Sequence, residues 1–181
     1  DFCLSRGLGD VYKRQGRYVT TGVQNTLIGG LAGDALTDAD YNVAVGANAL
    51  SADTLGSRST AIGFNTLAVQ NFTTATNAYN VAVGHNAGVA VTTGTYNTLI
   101  GSLSGQAVTT GIQNTLVGGG AGDALTDADY NVAVGYGSLT TDVLGSRSVA
   151  IGVGTLATQN PATATDMYNT AVGINAGNAV T

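Results

Sequence analysis

Nine times along the chain the same five-residue unit returns, and nothing else in the sequence restricts the fold so tightly. The copies occupy residues 25–29 (NTLIG), 42–46 (NVAVG), 59–63 (STAIG), 80–84 (NVAVG), 97–101 (NTLIG), 114–118 (NTLVG), 131–135 (NVAVG), 148–152 (SVAIG) and 169–173 (NTAVG). Their closing glycines are 17 residues apart, except for gaps of 21 after Gly63 and after Gly152. A longer order lies above this one. The pattern returns after 89 residues, and residues 32–46 are identical to residues 121–135 (AGDALTDADYNVAVG). A short fixed period means that each repeat is one small unit, which buries its apolar face only by stacking on its neighbours.

Within each unit the residues alternate as a strand requires. In residues 42–46, Val43 and Val45 share one face and Ala44 takes the other. Across the repeats one face is β-branched and the opposite face is Ala or Leu. Both faces are therefore expected to be covered, one inside a thin roll and the other against something else. Seven residues after the closing glycine a further apolar residue recurs at Leu36, Val91, Val108, Leu125 and Val180, which predicts a second short strand followed by a turn. The Thr-Thr-Gly triplets at 20–22, 92–94 and 109–111 place Gly22, Gly94 and Gly111 where a reversal with positive φ is expected. A 17-residue rung then holds two strands and two turns. Nine rungs at a spacing of about 4.8 Å make a rod about 40 Å long.

Composition agrees with short strands and tight turns. Gly counts 27 of 181 residues, 9% of residues are charged, Trp is absent and every acidic residue is Asp, so the strong helix formers are scarce. A net charge of −5 opposes a phosphate-binding surface, and nucleic acid is not an expected partner. No apolar run reaches the length of a membrane helix, so membrane contact by this segment is not expected.

Residues 5–15 read SRGLGDVYKRQ, which resembles one translated frame of a transposase-based sequencing adapter. Residues 1–15 are accordingly expected to be non-native and disordered, and residues 16–181 to be a repeat domain truncated at both ends. Without that segment the chain has no cysteine, and three arginines remain against nine aspartates. Disulfides and thiolate metal sites are then excluded, and no cofactor is expected.

The motifs NTAVG, STAIG, NVAVG and SVAIG, with their small following residues, resemble the head repeats of trimeric autotransporter adhesins. They are also similar to repeats of phage tail fibres. The resemblance covers nearly all of residues 16–181 and implies an all-β fold, a left-handed parallel β-roll of nine rungs packed as a homotrimer. The rungs here are longer than those of the adhesin heads, which favours the fibre. The expected function is that of a structural, receptor-facing fibre segment on a virion tail, meeting a cell-surface glycan or protein receptor. The alternatives are an adhesin head on a bacterial outer surface and a polysaccharide-cleaving tailspike. The β-branched face is the natural trimer interface.

Candidate binding residues are few. The residue before each unit forms a column with Tyr41, Arg58, Tyr79, Tyr96, Tyr130, Arg147 and Tyr168, together with Gln24 and Gln113. It reads either as a receptor-binding strip or as a stack that stiffens the rod. The units' own Asn residues read as a rung-to-rung amide ladder. Asp34, Asp38 and Asp40, repeated as Asp123, Asp127 and Asp129, offer oxygens of the kind calcium prefers. The calcium nonapeptide pattern they approach is broken at Ala32, so solvated loops are the expected reading. Phe72 and Pro161 fall in the two four-residue insertions and are expected at loop tips, where recognition residues are often carried. His85 is the only histidine and Glu is absent, so no acid–base pair suggests an enzyme.

Overall fold

The computed structural model describes residues 14–180; the adapter-like segment, apart from Arg14 and Gln15, lies outside the described residues. Nine strands of three residues each form one parallel sheet in sequence order: Thr26–Ile28, Val43–Val45, Thr60–Ile62, Val81–Val83, Thr98–Ile100, Thr115–Val117, Val132–Val134, Val149–Ile151 and Thr170–Val172. Equivalent residues face each other, as Thr26 faces Val43 and Leu27 faces Ala44. The 21-residue rungs leave this register intact, since Thr60 still faces Val81 and Val149 faces Thr170. The chain is a parallel β-solenoid, with no helix among the described residues.

The closing glycine makes each strand stop. Gly84 has φ +135°, and a Cβ placed on it would lie 2.6 Å from the carbonyl oxygen of Gly101 on the next rung. No other residue type combines that backbone conformation with that approach. Past the glycine the chain turns inward again, and the core forms between the strand and the opposite side of the rung.

The middle residue of each strand points into the roll. Where it is Leu, as in Leu27, Leu99 and Leu116, the residue four places after the closing glycine is Gly33, Gly105 or Gly122. A Cβ on Gly33 would stand 2.6 Å from Leu27 Cδ2, and one on Gly105 would stand 2.8 Å from Leu99 Cδ2. Where the strand carries Ala44, Ala61, Ala133 or Ala150, the opposite position holds Leu50, Leu67, Leu139 or Leu156, all buried. In seven of the nine rungs one leucine fills the space from one side or the other, each contributing about 1.5–3 kcal/mol by burial. In the rungs of Ala82 and Ala171 both positions are small; Leu67, Leu99 and Val91 crowd round Gly88 instead, and Leu156 lies against Gly177.

Two expectations are corrected here. The second strand is not a regular part of the 17-residue rung. Two-residue strands pair only beside the long rungs, Gly56–Ser57 with Thr76–Asn77 and Gly145–Ser146 with Thr165–Asp166. In every rung the stretch after the strand carries positive φ at alternate residues, as at Gly46, Asn48 and Leu50. Alternation sends successive amides in opposite directions: Asn48 N–H donates back to Gly30 O at 3.0 Å, and Leu50 N–H donates forward to Thr66 O at 3.1 Å. The rungs are thus bonded on this side too, but by a backbone that turns the corner faster than an extended strand can.

Nor do Gly22, Gly94 and Gly111 take the positive φ. It falls two residues later, on Gln24 (+57°), Tyr96 (+59°) and Gln113 (+56°). These glycines serve close approach instead, because a Cβ on Gly111 would lie 2.5 Å from Ala128 O.

This geometry separates two costs of adding a methyl group. Gly137 has φ +61° and open space where its Cβ would be. Gly137→Ala should therefore cost only the left-handed penalty, about 1 kcal/mol. Gly84→Ala adds a collision with backbone and should cost about 3 kcal/mol or more. Urea denaturation followed by circular dichroism would show the difference, and equal losses would contradict it.

Candidate functional site

In the exposed Tyr/Arg column each tyrosine precedes a ladder Asn and each arginine precedes a Ser. Asn42, Asn80, Asn97, Asn114 and Asn131 are fully buried. Each Oδ1 accepts the backbone N–H of the equivalent residue on the next rung, as Asn80 accepts from Asn97 at 2.9 Å and Asn131 from Ser148 at 2.9 Å. Each Nδ2 donates to a next-rung carbonyl 14 residues ahead, as Asn97 does to Gly111 O at 2.8 Å. The amides therefore bond mainly to backbone, with one amide–amide bond from Asn114 Nδ2 to Asn97 Oδ1 at 3.2 Å, and they lengthen the sheet by one residue. The residue before each of these Asn residues, and before the Ser that replaces Asn in two rungs, is left-handed: Tyr41, Arg58, Tyr79, Tyr96, Tyr130, Arg147 and Tyr168 all have φ between +51° and +65°.

That conformation turns the column outward, and all seven side chains are exposed. The Arg58 guanidinium lies 4.5 Å from the centre of the Tyr41 ring and 6.0 Å from that of Tyr79. Tyr79 stacks on Tyr96 at 5.1 Å. Beyond Gln113 the stack resumes, with Arg147 4.4 Å from the Tyr130 ring centre. These separations follow the rung spacing, so stacking is imposed by the fold and adds about 0.5–1 kcal/mol per cation–π contact. Each arginine is also held from the long rung: Arg58 Nε donates to Asn77 Oδ1 at 3.1 Å, and Arg147 Nε to Asp166 Oδ2 at 2.9 Å. Tyr168, 70% exposed, donates its hydroxyl to the same Asp166. What remains for a ligand is a row of aromatic edges and guanidinium faces.

The aspartates do not gather. Asp40 Oδ1 accepts from Val23 N–H and Asp129 Oδ1 from Ile112 N–H, both at 2.7 Å. Asp38 accepts the Thr21 hydroxyl at 2.6 Å, Asp127 that of Thr110, and Asp123 that of Thr140 at 2.7 Å. Asp34 stands apart from Asp38 and Asp40 in its own turn. Among the described residues no group of three or more His, Cys, Asp or Glu side chains is placed to hold a metal ion.

The loop-tip reading is corrected for Phe72. It is 6% exposed, and its ring lies over Gly56, where an added Cβ would be 2.7 Å from Phe72 Cδ2. An aromatic ring in an insertion fills the gap that the longer rung opens, and Thr73, Thr74 and Ala75 form the exposed tip. Pro161, at the equivalent place, is half-buried. His85 stacks on Phe64 with ring centres 5.7 Å apart.

A buried polar group escaped the sequence reading. The apolar position seven residues after the closing glycine is taken by Asp53, Gln70, Asp142 and Gln159 in the other four rungs, and all four are fully buried. Gln70 Nε2 donates to Asp53 Oδ2 at 2.6 Å and to Ser59 Oγ at 3.2 Å, while its Oε1 accepts from Asn80 Nδ2 at 2.8 Å. Asp53 Oδ1 also accepts from Gly56 N–H at 2.9 Å. Gln159 repeats this with Asp142, Ser148 and Asn169. Each group sits where Ser replaces the ladder Asn, and the glutamine links that Ser hydroxyl to the Asn side chain of the next rung. The signal was present in the column itself, where polar residues interrupt an apolar series in pairs.

No protein-family model matches the chain, and neither a curated protein nor a solved structure matches it at a significant level.

Two expectations follow from the buried group. Gln70→Leu leaves the Asp53 carboxylate and the Asn80 amide short of partners and should cost about 3 kcal/mol. Adding Asp53→Leu should recover at least half of that loss in urea titrations, because other rungs hold Leu or Val at this position. The second concerns pH. Burial raises the Asp53 and Asp142 carboxyls above their ordinary range, against the opposing effect of their hydrogen bonds. The folded chain thus favours the protonated form. Stabilisation from these two groups is full below the ordinary carboxyl range and is lost as pH rises through the raised values. Melting temperatures from about pH 3 to about pH 7 should show that fall, and the Asp53→Asn, Asp142→Asn chain should show less of it.

Proposed function

We propose that the chain is a structural, receptor-facing segment of a homotrimeric fibre, most fittingly a phage tail fibre carried on the virion. The observation that carries this reading is the outer face of the nine-stranded sheet. Its inward residues are Ala and Leu, while two columns of Val, Ile and Thr look outward along the length of the rod. Within the sheet, Ile62, Ile100 and Ile151 are 39%, 38% and 39% exposed. A continuous β-branched strip of that length on one chain is an interaction face rather than a water-facing one. Three copies about a common axis cover it on every chain at once, and a closed symmetric assembly leaves none of it free to polymerise sideways. The Tyr/Arg column borders this strip, one residue before the strand's Asn. It suits contact with a cell-surface glycan or protein. The aspartates keep the flanks charged and the rods apart.

Sedimentation of the chain at micromolar concentration tests the assembly. The expected mass is three times that of the chain. Val83→Asp with Val134→Asp, on the outward face, should yield monomers with an unchanged circular dichroism spectrum. A monodisperse monomer of the unaltered chain would sink the proposal.

A further inference from the structure

We propose that the cleft over Gly137 is a saccharide-binding site for a neutral pyranose, distinct from the Tyr/Arg column. The cleft encloses about 550 Å³, within the usual range for a small ligand. Its floor is the backbone of Gly120, Gly137 and Gly154 on three successive rungs. Tyr136, 72% exposed, forms one wall, and Asp123 and Thr140 form the other.

The fold itself does not require these glycines. All three have φ near +60°, yet the same column holds Leu31, Asn48, Asn65, Asn86, Leu103 and Asn175 with φ between +53° and +63°. A Cβ on Gly137 would meet nothing within 4 Å, one on Gly120 only the Asp123 carboxylate at 3.7 Å or beyond, and one on Gly154 only the far end of the Asn175 side chain, its Oδ1 at 2.6 Å. The chain contains its own comparison. In the first 89-residue unit the equivalent positions are Leu31, Asn48 and Asn65, with Asn48 Nδ2 donating to Asn65 Oδ1 at 2.9 Å. Ala47 stands there in place of Tyr136. One scaffold thus occurs twice, once with this space filled and once with it open beside an aromatic ring.

The chemistry of the open copy selects the ligand. A phenol ring offers an apolar face to the C–H groups of a pyranose and a hydroxyl at its rim. Asp123 Oδ1 accepts the Thr140 hydroxyl at 2.7 Å. This fixes the carboxylate and leaves Oδ2, on the glycine side, to accept from sugar hydroxyls. The floor has no donors to spare for an anion. The amides of Gly120, Gly137 and Gly154 already bond to Ser102, Gly119 and Tyr136 carbonyls at 3.0, 3.0 and 2.9 Å. With one negative charge in the wall and no cation, phosphate and acidic sugars are disfavoured and a neutral sugar fits.

The test uses the full chain with D-glucose, D-galactose, D-mannose and N-acetyl-D-glucosamine as probes, followed by NMR at the Tyr136 ring and the three glycine amides. At least one sugar should bind with a dissociation constant in the millimolar range. The variant Gly120→Leu, Gly137→Asn, Gly154→Asn carries the residues of the first unit at its equivalent positions. It should keep its circular dichroism spectrum and bind at least about tenfold more weakly; Tyr136→Ala should weaken binding likewise. No shift at about 50 mM with any of the four sugars, unchanged affinity in both variants, or shifts confined to Tyr41, Tyr79, Tyr96 and Tyr130 would each overturn the proposal. Since sedimentation reads assembly separately, a trimer that binds no sugar refutes the cleft and leaves the fibre reading standing.

Discussion

Backbone hydrogen bonds between successive rungs hold this chain at a spacing of about 4.8 Å, and every column of side chains is bound by that distance. Glycine closes each strand because the carbonyl of the next rung occupies the place of a Cβ. Asn recurs before the strand because its amide, at that spacing, reaches both an N–H and a C=O of the following rung. Aromatic rings and guanidinium groups stack on the outside because equivalent residues are set one contact distance apart. None of these columns stabilises a rung alone. Each acts only between rungs, which is why the repeat pattern is so strict while the side-chain chemistry is so plain.

The same constraint explains the buried Asp–Gln groups. A roll whose rungs are nearly interchangeable has little to distinguish the correct stacking from one threaded a rung out of phase. The apolar columns would accept either. Asp53 and Gln70 would not, since the misplaced carboxylate would meet Leu36 or Val91 in place of its glutamine. Burying that carboxylate costs stability, and its raised affinity for a proton shows that the hydrogen bonds do not fully offset the loss of water. The group sits at the 21-residue rung in both 89-residue units, where Ser interrupts the Asn ladder and the four extra residues must be inserted without shifting the strands.

The stacked strands were legible in the sequence because their signal is periodic and summed over nine copies. The opposite side of the roll was not. Propensity assigns left-handed backbone to glycine, yet here Leu50, Tyr79 and Arg58 adopt it because bonds on both neighbouring rungs dictate it, and the local cost of about 1 kcal/mol per residue is overcome by stacking. Gly111 was misread for the same reason: it answers to a neighbour 17 residues away rather than to its own φ. Phe72 looked like a tip residue because an insertion suggests a loop, but a longer rung also opens a gap, and a large ring closes it. Asp53 and Gln70 were visible as interruptions of an apolar column. Single residues of those types are ordinarily solvated, and only alignment of all nine rungs gives them away.

The two 89-residue units sort these columns by what limits them. Core and ladder positions agree between units: Asn42 with Asn131, Asp53 with Asp142, Gln70 with Gln159, Leu50 with Leu139. The Tyr/Arg column agrees as well, Gln24, Tyr41, Arg58 and Tyr79 matching Gln113, Tyr130, Arg147 and Tyr168. Its left-handed backbone and its stacking distance leave it little freedom, whatever it touches. The residues just after the closing glycine behave differently. Ala47, Phe64 and His85 of the first unit are replaced by Tyr136, Val153 and Ile174 in the second, and Asn48 by Gly137. These side chains lie outside both the core and the amide ladder, so the stack does not dictate their identity. A rod built from near-identical rungs can carry distinct recognition at such positions, and the aromatic-walled cleft lies in the one stretch where three rungs in succession give up their side chains.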